Sequence, residues 1–342
     1  VPSPAVPSPA VPSLAPPPDT TGTAPRTPAA PDTTGPAPRT PAVPDTARTV
    51  PRTPAAPDAA GTALRTPAAP GAAPSVTPGA APAGPRPSAA TPAAAVTRRP
   101  AEGALHSWDL STGVDGPGTR FVAFLSGCPL TCLYCHNPDT WRMRSGRRTS
   151  ADDVIAEAAK YVRFISASGG GATVSGGEPL LQPVFTGELL HRLKHELGLH
   201  TALDTSGFLG ARATDALLRD TDLVLLDIKS WDPATYRKVT GRPLGPTLDF
   251  ARRLAGLGRE VHVRFVLVPG LTDDPANVEG VAAFAGGLGN VSRVDVLPFH
   301  KLGEAKWRAL AMPFTLHDTP SPTPDQLAGV REVFRSHGLN AV

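Results

Sequence analysis

"RFVAFLSGCPLTCLYCHNPDTW", residues 120–141, runs an apolar stretch straight into a loop that holds every cysteine of the chain. Cys128, Cys132 and Cys135 stand in a C-x3-C-x2-C spacing. A structural zinc ion usually takes four protein ligands, and His136, directly after Cys135, is awkwardly placed to close a tetrahedron with it. A redox dithiol uses two thiols and leaves Cys128 without a role. Three thiolates on a loop containing Gly and Pro suit three irons of a 4Fe-4S cluster, whose fourth iron stays open to a small molecule. A three-cysteine zinc site and unrelated loop cysteines are the competing readings of the same spacing.

Outward from this loop, short apolar runs alternate with helical patterns. Strands are expected over residues 120–127, 171–177, 200–207, 222–229, 261–270 and 291–299, most of them ending at Gly or Pro. Helices are expected in "TSADDVIAEAAKYVRFI", where Ser150 and Asp153 form a weakened capping box, and in "FTGELLHRLKHELG", "ATDALLRD", "TLDFARRLAGLG" and "NVEGVAAFAGGLG". The last holds a Gly pair that argues against its continuity. Six strands separated by helices imply an α/β fold with a parallel sheet, either open and doubly wound or a partial, opened barrel. In both, chemistry gathers at the C-terminal strand ends. Cys128, the segment from Ser175 to Glu178, Asp204, Asp227, Lys229 and His300 all fall at such ends, and Arg264 lies within the fifth strand. Charged groups in apolar strands are costly unless paired or facing a cavity, so their convergence on one rim marks the candidate site.

Residues 1–100 are unlike the rest. They hold 27 of the 42 prolines and no Phe, Tyr, Trp or His, which leaves nothing to build a core from. Four 13-residue units such as "PDTTGTAPRTPAA" run from Pro18 to Ala69. We expect a disordered arm rich in Pro, Ala and Thr with local polyproline II character, serving as a spacer or tether or as a dispensable tail. A translation start near residue 100 is an alternative. Residues 101–342 carry all nine histidines and suffice for one sizeable core. The net charge of +3 draws partly on the arm's "PRTP" arginines, and no basic patch interleaved with aromatics points to nucleic acid. No secretory leader or membrane span is expected, and the clustered cysteines suit a reducing cytoplasm.

The cysteine spacing, with Tyr134 before the last cysteine, resembles that of radical S-adenosylmethionine (SAM) enzymes. The wider series "SWDLSTGVDGPGTRFVAFLSGCPLTCLYCHNPDTW", "SGGEPLLQ", "DTSG", "LVLLDIK", "RFVLVPG" and "VLPFHKLG", in that order over residues 104–342, is similar to the pyruvate formate-lyase activating enzymes. The arm has no counterpart there. The resemblance implies a partial (β/α)6 barrel forming one catalytic domain over residues 101–342.

It also implies roles. Cys128, Cys132 and Cys135 would each bind an iron of one 4Fe-4S cluster, with the amino and carboxylate groups of SAM on the fourth iron. Tyr134 would lie near the adenine, and Gly176, Gly177 and Glu178 would form the strand end that receives the amino group. Asp204 and Asp227 would hold a monovalent cation, Na+ or K+, with the region of Thr205 and Leu225 supplying backbone oxygen. Lys229 would pair with cofactor oxygens or, read plainly, with Asp227. Arg264 would contact the cofactor and His300 its adenosyl part. Ser206 stands where the family commonly has Asn. The segment from Gly113 to Gly118 resembles a flexible stretch near the protein-substrate entrance, with Asp115 free to cap its turn.

The implied reaction begins when flavodoxin or ferredoxin reduces the cluster, and it ends with a glycyl radical on pyruvate formate-lyase. The substrate is then a partner protein, and a cytoplasmic monomer that binds neither nucleic acid nor membrane is expected. Three cysteines suffice for one cluster, which sets aside relatives with an added ferredoxin-like module. The alternatives are an activator of another glycyl radical enzyme, such as anaerobic ribonucleotide reductase, and a zinc-stabilised protein-interaction module.

Overall fold

The structure, a computed structural model, describes residues 99–342. The arm expected over residues 1–100 lies outside the described residues but for Arg99 and Pro100. The strands are β1 (Glu102–Thr112), β2 (Thr119–Leu125), β3 (Arg147–Ser150), β4 (Gly171–Gly176), β5 (His200–Thr205), β6 (Leu223–Asp227), β7 (Glu260–Leu267) and β8 (Val291–Pro298). The helices are α1 (Ala151–Ala159), α2 (Val162–Ala167), α3 (Pro183–His195), α4 (Asp215–Arg219), α5 (Pro233–Thr240), α6 (Gly245–Gly256), α7 (Pro275–Gly286), α8 (Glu304–Ala309) and α9 (Pro324–Ser336).

All eight strands form one sheet in the order β3-β1-β2-β4-β5-β6-β7-β8. The six expected strands are β2 and β4 to β8, paired in parallel and in chain order. A doubly wound sheet reverses its strand order part-way, and this one does not. The architecture is therefore a partial α/β barrel, with β3 and β8 its outermost strands and residues 340–342 paired along β8.

Alternation along the strands decides which residues meet. Ala172, Val174, Leu203, Val224, Leu226, Val263 and Phe265 pack outward with Leu189, Leu193, Leu254 and Val281 of the helices in one apolar core. The intervening positions, Thr173, Ser175, Asp204, Asp227 and Arg264, belong to the other face of the sheet. Apolar surface buried on the outer face, at about 25 cal/mol per Å², stabilises the sheet that carries the polar bore.

Two expectations change. The long helix over "TSADDVIAEAAKYVRFI" is two helices, because the backbone tightens at Lys160 and Tyr161, whose ring packs 5.5 Å from that of Trp108. The Ser150 and Asp153 capping box at its start is complete, with each residue bonding the other's backbone N–H. The Gly pair in "NVEGVAAFAGGLG" ends α7, with Gly286 its last residue. Strands β1 and β3 and helices α5, α8 and α9 were not expected. For α5 a signal was present, since Asp232 caps its start, Pro233 opens it and Gly241 closes it at φ 72°.

Candidate active site

The C-terminal ends of β4 to β8 surround a cavity of about 400 Å³. Its lining includes Cys128, Cys132, Tyr134, Cys135, Gly176, Gly177, Asp204, Thr205, Asp227, Lys229, Arg264 and His300. The cysteine loop is held from several sides. The Cys128 N–H donates to the Trp141 carbonyl at 3.0 Å and the Leu133 N–H to the Val239 carbonyl at 3.0 Å. Trp307 of α8 donates its indole N–H to the Cys135 carbonyl at 2.8 Å. At Gly177 a Cβ would collide with the Gly127 carbonyl and crowd Cys128, so only glycine lets the two strand-end loops meet.

Burial pushes the Cys132 thiol up to about 12 and raises Cys128 and Cys135 as well. Such thiols stay protonated near neutral pH unless a bound cation draws the protons off, which is what metal ligation does. A single tetrahedral zinc ion would hold its sulfur ligands about 3.8 Å apart. Among the described residues, the three cysteines are not a group whose ligand atoms all lie within 4.8 Å of one another. The thiols as placed are not gathered around a single ion.

Beside the cysteines lies a charged quartet. Arg264 Nη1 is 3.2 Å from Asp204 Oδ1, and its Nε is 3.6 Å from Asp227 Oδ1. Lys229 Nζ donates to Asp227 Oδ2 at 3.0 Å, and Ser175 Oγ to Asp204 Oδ2 at 2.6 Å. Burial alone would raise Asp227, but Lys229 and Arg264 outweigh it and hold the carboxyl below its usual range. Asp204 is raised by burial and by Asp227 against the pull of Arg264. The two carboxylates expected to need a metal cation are thus already bridged by an arginine. Tyr134 OH and His300 Nδ1, on two residues that line the cavity, are buried without hydrogen-bond partners. They fit a polar, anion-bearing ligand such as SAM. The His300 ring stacks on His136 with centroids 4.1 Å apart.

A family model described as the radical SAM superfamily matches residues 122–278. Over 246 residues the chain is 42% identical to the pyruvate formate-lyase-activating enzyme of Staphylococcus epidermidis, covering 70% of this chain and 96% of that one. This chain belongs to the pyruvate formate-lyase-activating enzyme family. The pyruvate formate-lyase 1-activating enzyme of Escherichia coli K12 is 38% identical over 238 residues, 69% of this chain and 96% of that one. A radical SAM methyltransferase from Sphaerobacter thermophilus shares the fold, with a TM-score of 0.50 and 20% identity over 70% of this chain and 76% of its own.

In this activating-enzyme chain two expected site residues stand back from the cavity. Glu178 is fully buried, and its carboxylate accepts from Leu180 N, Thr205 Oγ1, and Ser206 N and Oγ, so it braces one strand end against the next rather than facing a ligand. Leu225 is buried with Ala202 and Leu223 on the bore side of the sheet. Lys229 is engaged by Asp227, as the plainer reading had it. Ser206 holds the turn with its hydroxyl, which donates to Glu178 Oε2 and accepts from the Phe208 N–H.

Other residues were missed. Arg120, fully buried, donates from Nε to Thr173 Oγ1 at 2.6 Å and from its two terminal nitrogens to the carbonyls of Pro117, Ala172 and His200. Thr173 Oγ1 in turn donates to the Asp115 carbonyl at 2.7 Å. The segment from Gly113 to Gly118 is thereby clasped to the bore, and Asp115 lines the cavity rather than merely capping a turn. Burial brings the Arg120 guanidinium down to about 10. The period-2 alternation that puts Thr173 and Ser175 on one face was the available signal for this group.

Proposed function

We propose that the cavity binds SAM beside one 4Fe-4S cluster held by Cys128, Cys132 and Cys135, and that the chain acts in this way on pyruvate formate-lyase. The chain is a radical SAM oxidoreductase of the activating type. When bound, the cluster supplies an electron for reductive cleavage of SAM, and the resulting 5'-deoxyadenosyl radical takes a hydrogen atom from a backbone glycine of pyruvate formate-lyase, leaving a glycyl radical there. The protein contributes position, charge and exclusion of water. Arg264 and Lys229 offer positive charge to the ligand's carboxylate, and the glycine backbone at Gly176 and Gly177 admits its ammonium closely. Tyr134 and His300 flank the space left for the nucleoside.

The observation that carries this reading is the gathering of all three cysteines and the charged quartet around one cavity, in a chain with 42% identity to an activating enzyme. A monovalent cation, Na+ or K+, at Asp204 and Asp227 with backbone oxygens of Thr205 and Leu225 is a finer part of the proposal. Such an ion would share its carboxylates with Arg264. Flavodoxin or ferredoxin as reductant, a cytoplasmic location and a monomeric state complete it. Among the described residues no helix is long and apolar enough to cross a membrane.

The test is anoxic reconstitution of the full chain with iron and sulfide, reduction, and mass spectrometry of 5'-deoxyadenosine formed from SAM with and without pyruvate formate-lyase. The nucleoside together with a glycyl electron paramagnetic resonance signal in the partner is expected. Cleavage without that signal redirects the assignment to another glycyl radical enzyme such as anaerobic ribonucleotide reductase. Stoichiometric zinc in place of a cluster would overturn the radical chemistry.

A further inference from the structure

Away from the cavity, α3 and the turn after α4 gather three metal-ligating side chains. His191 and His195 are four residues apart on α3 and so share one helix face. Their ring centroids are 4.6 Å apart. Asp220, which closes α4, turns one carboxylate oxygen to each ring: Oδ2 lies 2.9 Å from His191 Nδ1, and Oδ1 lies 2.8 Å from His195 Nε2. The three ligand atoms all lie within 4.8 Å of one another, and no other group of three His, Cys, Asp or Glu among the described residues does so.

We propose that His191, His195 and Asp220 form a binding site for one divalent first-row transition metal ion, with zinc its expected occupant, which ties α3 to the turn leading into β6. Two imidazoles and a carboxylate are a zinc donor set that leaves a fourth position for water. Imidazole favours such ions over magnesium and calcium, which prefer oxygen ligands throughout.

The third ligand is fixed in advance. The Asp220 N–H donates to the Ala216 carbonyl, and its own carbonyl accepts from Thr201 Oγ1 at 2.5 Å, so the residue is anchored both to α4 and to β5. Its carboxylate lies between the two rings with little solvent exposure, one oxygen facing each imidazole. The histidines stand on a 13-residue helix and are half-exposed. Zinc ligands at about 2.05 Å in a tetrahedron lie about 3.3 Å apart, and the three ligand atoms here already lie within 4.8 Å of one another. Entry is open, because His191 and Asp220 line a surface groove that also includes Glu188. The neighbouring cations on α3 are already engaged, Arg192 by Asp152 and Glu196, and Lys194 by Asp222. None of these groups belongs to the radical site, so the proposal stands independently of the activity assigned above.

The test uses the full chain with its cluster in place, dialysed without oxygen against buffered free zinc, with zinc and iron counted by mass spectrometry. One zinc per chain is expected, with iron content unchanged. The His195→Ala and Asp220→Asn variants should bind it at least about tenfold more weakly while retaining iron. Zinc uptake that is the same in these variants would overturn the proposal, as would no uptake below millimolar zinc. X-ray absorption at the zinc edge of the unaltered protein reads the ligands directly. Nitrogen and oxygen neighbours with imidazole scattering support the site, and sulfur neighbours refute it by placing the ion at the cysteines.

Discussion

Glu178 and Ser206, with a sequence separation of 28, are joined twice: the Ser206 N–H donates to Glu178 Oε2 at 3.0 Å and the Ser206 hydroxyl donates to it at 2.6 Å. The ends of β4 and β5 are thereby locked together just behind the cavity wall formed by Gly177 and Thr205. An amide at this position keeps one acceptor and turns a donor toward other donors. Glu178→Gln should therefore cost about 1–3 kcal/mol of stability and loosen SAM binding, although its carboxylate does not line the cavity. Thermal unfolding and SAM equilibrium dialysis measure both, and an unchanged melting temperature would contradict the bracing role.

Arg264 stands between two buried carboxylates. Arg264→Ala leaves Asp204 and Asp227 with Lys229 as their remaining close cation, a loss on the order of 3–5 kcal/mol for a broken buried pair. Arg264→Lys should recover part of the stability but little of the SAM affinity, because an ammonium cannot span both carboxylates as a guanidinium does. Equal SAM affinity in the two variants would show that bridging is not what Arg264 provides.

The clasp made by Arg120 predicts a local effect. Arg120→Lys loses the planar fork that reaches Thr173 and three carbonyls at once, and should release residues 113–118 while the apolar outer core holds. Limited proteolysis should then cut at this segment faster than in the unaltered protein, with the remaining fragment stable. Cutting distributed over the whole chain would mean that Arg120 supports the fold at large.

His200 and His262 give the pH dependence a sign. Burial is the main cause that holds both below the ordinary imidazole value, with Arg120 adding to it at His200 and Asp295 opposing it at His262. Unfolded imidazoles take up protons near pH 6.5, whereas the folded ones resist. Below that pH the unfolded chain binds more protons, so stability falls as pH drops from about 6.5 toward 5, and the effect vanishes above neutrality. The urea midpoint should fall between pH 7.5 and 5.5, and it should fall less in a His200→Gln/His262→Gln double variant. An identical fall in the double variant would assign the acid sensitivity elsewhere.

The parallel strands were legible because they are short apolar runs, most of them closed by Gly or Pro, and strands of that kind declare themselves locally. The rim followed from them, since Asp204, Asp227 and Arg264 interrupt runs that otherwise tolerate no charge. Strand β1 was hidden because "EGALHSWDLST" mixes polar and apolar residues without strict alternation, its register with β2 shifting between Leu105 and Ser107. Helices α8 and α9 lie beyond the last expected strand, and the grip of Trp307 on Cys135 joins residues 172 apart, which no local pattern encodes. Glu178 was misplaced for a related reason. A strand-end carboxylate beside two glycines looks the same in sequence whether it faces a ligand or turns inward to hydroxyls far along the chain.

Strands β3 and β8 are the two outer members of the sheet and do not meet. A cylinder closed all round would admit only what can be threaded through its mouth. Here the unclosed side is instead met by α8, whose Lys306 reaches Asn137 and Asp139 and whose Trp307 grips Cys135, so what enters the cavity passes a short helix rather than a complete ring of strands.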